Sequence, residues 1–71
     1  MANRLSPLDE AVLSVIESDG NRLSVDRLFH LMTEKPGYRK LSKKNLRISL
    51  QKLNRRGKIR IEGKMVYFVK L

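Results

Sequence analysis

The sequence contains no cysteine and no tryptophan, one histidine, two prolines, and only two tyrosines and two phenylalanines. Without cysteine there is neither a disulfide staple nor a thiolate metal site, and the redox compartment stays open. No apolar run approaches the roughly 18 residues that a membrane span requires, and the opening MANRLSPLDE is too polar for a signal peptide. A soluble intracellular protein is expected, cytoplasmic or DNA-associated. The chain begins at Met1 and reads as a whole short gene product. Catalytic constellations are missing too. His30 lies off the apolar face of its helix, no HxH or HExxH spacing exists, and no glycine-rich phosphate loop is present. Asp9 and Glu10 are neighbours that project to different sides of a helix, and the helix dipole accounts for both. No enzyme activity, cofactor, metal or small-molecule substrate is therefore expected.

Acidic residues are almost missing from one half of the chain. Residues 1–34 hold three basic side chains (Arg4, Arg22, Arg27) against six acidic ones, a balance of −3. Residues 35–71 hold thirteen basic side chains against Glu62 alone, a balance of +12. Such a split implies a polyanion docking on one side, and nucleic acid is the commonest. No lipidation motif or free basic amphipathic segment points to a membrane.

What is present is enough for one domain. The 71 residues are 41% apolar, near the size at which a single core just suffices. Residues 1–5 read as a lead-in. Ser6-Pro7-Leu8-Asp9 starts a helix over 7–18, with Ser6 as cap, Pro7 at its first position and Asp9 and Glu10 in its first turn. Leu8, Val12, Val15 and Ile16 form its buried stripe, with Ala11 packed close. Asp19-Gly20-Asn21 turns the chain, and Arg22-Leu23 leaves room for a very short extended piece. Ser24 caps a second helix over about 25–35, with Val25, Leu28, Phe29 and Met32 on one face, and Pro36-Gly37 stops it. The connection to Leu41 is too long for the tightest helix-turn-helix. Its Tyr38 can pack on the core edge or stack on a ligand.

A third helix spans 42–56. Leu46, Leu50 and Leu53 share one side, with Ser49 and then Gly57 on the same stripe. Ser42 caps its start and Gly57 closes its end in a left-handed conformation. Lys44, Ile48, Gln51 and Arg55 lie opposite, flanked by Arg47 and Lys52, and no acid occurs in the segment. Such a face suits a phosphate-lined groove. Lys58–Glu62 and Met65–Leu71 then alternate around Gly63-Lys64, which predicts a type II′ hairpin. Setting Glu62 opposite Met65 pairs Ile61 with Val66, Arg60 with Tyr67 and Ile59 with Phe68. One face is then apolar, and the other carries Lys58, Arg60, Tyr67 and Lys64. The predicted fold class is α+β, a three-helix bundle with a C-terminal two-stranded hairpin in the order α-(β)-α-α-β-β, in one domain.

That order, with LxxxLxxLxxxGxI read by Leu46, Leu50, Leu53, Gly57 and Ile59, resembles the winged-helix family of DNA-binding domains. Residues 46–59 are similar to the third helix of linker-histone globular domains, which share the apolar spacing and the basic-Gly step. The chain departs from linker histones at Asn45, where arginine is usual, in its shorter wing, and in having no lysine-rich tail among its 71 residues. The resemblance implies helix 42–56 in the major groove and the wing on the backbone or minor groove. It carries over to Lys43, Lys44, Arg47 and Gln51 on the helix, and to Lys58, Arg60 and Lys64 on the wing.

By their chemistry, Lys43, Lys44, Arg55 and Arg56 suit phosphates, and Lys40 precedes the same helix. Arg47 suits guanine and Gln51 adenine, with Asn45 on the flank. Ile48 either meets a thymine methyl or is covered by the wing or a partner subunit. The expected function is double-stranded DNA binding by a small transcriptional regulator, as a monomer or weak homodimer. The alternatives are non-specific architectural binding and a protein-interaction winged helix.

Overall fold

The computed structural model describes residues 5–69. Each of three helices begins where a serine side chain accepts a hydrogen bond from a free backbone N–H of the first turn. Ser6 caps α1 (Pro7–Ser18), Ser24 caps α2 (Val25–Thr33) and Ser42 caps α3 (Lys43–Arg55). At α1 the cap is reciprocal, because the Asp9 carboxylate accepts from the Ser6 backbone N–H. Helix α2 ends at Thr33, short of the expected Lys35. Lys35 precedes a proline, which disfavours helical geometry there. Its N–H donates to the Met32 carbonyl in a closing turn.

Gly20 (φ 88°) and Asn21 (φ 69°) turn the chain after α1. The strand β1 (Arg22–Ser24) follows. The hairpin consists of β2 (Ile59–Glu62) and β3 (Met65–Phe68). Its register is the expected one: Ile59 with Phe68, Arg60 with Tyr67, Ile61 with Val66, Glu62 with Met65. Gly63 has φ 59°, and Lys64 stays outside the left-handed region, as a type II′ turn requires. Residues 70 and 71, expected to extend the last strand, lie outside the described residues, as do residues 1–4 of the lead-in.

The short extended piece expected at Arg22-Leu23 is β1, and it joins the hairpin as the third strand of one sheet. β1 pairs antiparallel with β3, setting Arg22 opposite Tyr67 and Leu23 opposite Val66, and the strand order is β1-β3-β2. A three-residue strand has no periodicity to announce it. Its partner supplies the reason to form, since β3 would otherwise keep an unpaired edge and Leu23 would stay in water.

The helices and the inner sheet face enclose one core. Val12, Val15 and Ile16 of α1, Leu28 and Met32 of α2, and Leu46, Leu50 and Leu53 of α3 meet Leu23, Ile59 and Val66 of the sheet. Tyr38 and Leu41 of the long connection pack against this core, which gives Tyr38 a packing role. At about 25 cal/mol per Å² of apolar surface, this burial contributes most of what holds α3 in place.

Candidate nucleic-acid interface

α3 is held from its inner side. Leu46, Ser49, Leu50 and Leu53 are buried, and the next turn of the stripe passes to Ile59 rather than to Gly57. Gly57 has left the helix with φ 74°, and the Lys58 N–H donates to the Leu53 carbonyl at 3.0 Å. This glycine-terminated reversal returns Ile59 to the core and starts the hairpin directly beneath the helix end.

Ser49 lies among the leucines because it has a partner. Its hydroxyl donates to Asp9 Oδ1 at 2.5 Å, while Lys52 Nζ lies 2.8 Å from Asp9 Oδ2. The Ser6 N–H also donates to Oδ2, at 3.3 Å. Asp9 is 1% exposed. Sequence reasoning gave Asp9 only the helix dipole and left Lys52 among the outward cations. Instead these residues form a polar bridge between α1 and α3. Burial by itself would push the Asp9 carboxyl up, but the Lys52 ammonium, the Ser49 hydroxyl and the Ser6 donors together hold it below its ordinary value of 3.8. The one sequence signal for this bridge is a serine on a leucine stripe.

The outer side of α3 is open. Lys44, Arg47, Ile48, Gln51 and Arg55 are all exposed. Ile48, at 53%, is not covered by the hairpin. Its side chain lies on the α1 side of the helix, bordering a depression with Leu8 and Asn45. On the opposite flank a groove of about 420 Å³ runs between α3, the start of α2 and the hairpin turn. Arg47, Gln51 and Lys64 line it, over a floor formed by Leu50 and Ile61, and Asp26 stands at its edge. The fold therefore brings together two of the expected base-reading residues and the cation at the hairpin tip.

The remaining candidates flank this groove. Lys40 and Lys43 lie at the start of α3, and Lys43 Nζ is 3.5 Å from Asp26 Oδ1 and 5.6 Å from the centre of the Phe29 ring. Arg55 and Arg56 stand at the far end of α3. Lys58 begins the hairpin beside Phe68 and Val69, away from the groove. All ten candidate residues (Lys40, Lys43, Lys44, Arg47, Gln51, Arg55, Arg56, Lys58, Arg60 and Lys64) are exposed. On the hairpin, Arg60 Nε is 2.7 Å from Glu62 Oε2. The third strand adds a residue that sequence reasoning missed, since Arg22 and Arg60 flank Tyr67 across three neighbouring strands.

His30 is exposed at 3.4 Å from Glu34 on α2. Among the described residues no group of three or more histidine or acidic side chains gathers, and no helix is long and apolar enough to cross a membrane. No protein-family model matches the chain, and comparison with curated proteins and with solved structures finds no significant match.

Proposed function

We propose that this domain binds double-stranded DNA, with α3 in the major groove and the hairpin on the backbone or minor groove, as the resemblance to winged-helix domains implies. The observation that supports this most is the outer face of α3: Lys44, Arg47, Gln51 and Arg55 are exposed together on a helix without an acid, with Lys64 across the groove from Arg47 and Gln51. An α-helix of this width fits the major groove, whose edges carry the donor and acceptor pattern that arginine and glutamine read.

The roles divide by chemistry. Lys40, Lys43, Lys44, Arg55 and Arg56 take phosphates at the two ends of α3, and Lys58, Arg60 and Lys64 do so from the hairpin, with Arg22 beside them on the sheet. Arg47 takes guanine and Gln51 takes adenine. The ion pairs of Lys43 with Asp26 and Arg60 with Glu62 are exposed, so exchanging these carboxylates for phosphates costs little. A sequence-reading face of this kind suits a small transcriptional regulator.

Fluorescence anisotropy of labelled duplexes at two salt concentrations tests the reading. The expected result is duplex binding that weakens steeply with salt and exceeds binding to a single strand or an RNA hairpin. Absence of duplex binding at low salt would overturn it. Site selection from a random library then separates a regulator, which enriches a motif, from an architectural protein, which does not.

A further inference from the structure

Ile48 is the only large hydrophobic side chain among the described residues that stands exposed, at 53%. A single exposed isoleucine is ordinary, and its surroundings are what carry meaning here. Its helix neighbours three and four positions away are Lys44, Asn45, Gln51 and Lys52, all polar or cationic, with the Lys52 ammonium turned to Asp9 and the half-buried Leu8 across a shallow depression. A protein surface apolar enough to cover Ile48 would have to strip water from the Lys44 ammonium and two amides around it, which is costly without specific partners. A duplex does not impose that cost. Its phosphates receive the Lys44 ammonium, while the thymine C5-methyl is an apolar point within the major groove at the depth a helix face reaches.

We infer that Ile48 reads a thymine methyl, and that Ile48 with Gln51, one turn further on, directs α3 to A·T pairs in duplex DNA. The inference rests on the proposed DNA binding and makes it specific. Glutamine bonds the adenine edge and isoleucine contacts the methyl of thymine, so the two residues recognise the two members of one kind of base pair. It also separates DNA from RNA, because uracil lacks the methyl and the A-form major groove is too narrow for a helix.

The test compares an A·T-rich duplex with the same duplex carrying deoxyuridine at every thymine, by anisotropy, for the wild type and Ile48→Ala. Because Ile48 is exposed, the substitution leaves the core untouched. The expected result for the wild type is a loss of about fourfold on the deoxyuridine duplex, the worth of one buried methyl. Ile48→Ala is expected to bind the two duplexes equally. Equal wild-type affinity for both duplexes overturns the inference and leaves DNA binding standing, as does an Ile48→Ala variant that keeps the full deoxyuridine penalty. Sedimentation equilibrium supplies an independent check, since a dimer that Ile48→Lys dissociates would overturn the inference by assigning the residue to a second copy of the chain. A wild type that binds neither duplex overturns the proposed function as well.

Discussion

The Lys52 ammonium of α3 and the Asp9 carboxylate of α1 lie 2.8 Å apart, the lysine half exposed and the aspartate almost fully buried. Lys52 thereby leaves the outward face and becomes part of what fixes the rotation of α3 on α1. Ser49, one turn earlier on the same helix, holds the other carboxylate oxygen.

Asp9→Ala should destabilise the fold by ~1–3 kcal/mol, the cost of a lost charge-assisted network that leaves a buried hydroxyl unpaired. Lys52 can turn to water, which keeps the loss below that of a fully buried pair. Ser49→Ala should cost less, about 1 kcal/mol. Urea denaturation of the two variants and the wild type measures both, and an Asp9→Ala variant as stable as the wild type would contradict the bridge.

The lowered Asp9 carboxyl has a consequence for acid stability. Because its folded-state pKa lies below 3.8, ionised Asp9 contributes stability at neutral pH and loses it as the pH falls from the unfolded-state value through the folded one. Stability should therefore drop below about pH 4. Asp9→Asn should be less stable at neutral pH and show a flatter acid limb. Midpoint urea concentrations measured across an acidic pH series decide it.

Two cations of α3 should respond differently to substitution. Arg47→Ala should cost ~1–3 kcal/mol on a selected site and less on random duplex. Lys44→Ala should weaken both equally and lower the dependence of log affinity on log salt by about one. Equal losses on both duplexes for Arg47→Ala would remove base reading by that residue.

Asp26 holds Lys43 at 3.5 Å and borders the groove, so in the proposed complex it would compete with phosphate. Asp26→Asn should raise affinity for any duplex by about two- to fivefold, the range of an exposed pair. Unchanged affinity in the same anisotropy assay would show that Lys43 makes no contact in the complex.

Local signals foretold the helix starts, because Ser6, Ser24 and Ser42 each act on backbone groups within three residues. The hairpin register was readable for a related reason, as Gly63 fixes the turn and the alternation then allows one pairing. Non-local relationships were not readable. Asp9 and Ser49 are 40 positions apart, and a first-turn carboxylate has a sufficient local explanation that hides its partner. Lys43 with Asp26 likewise joins two helices through the fold alone. Among the outward residues of α3, exposure followed directly from the leucine spacing, because any position opposite a buried stripe faces water.

The strand order β1-β3-β2 bears on how the chain is made. β3 is the last strand in sequence and the central one in space, and β1 and β2 touch only through it. During synthesis the sheet cannot begin to assemble until residues 65–68 have left the ribosome, although all three helices have emerged by then. A chain cut before β3 would retain two strands with nothing to pair them, and Leu23 and Ile59 would lose the Val66 they pack around. Loss of β3 therefore removes the sheet as a whole rather than one strand of it.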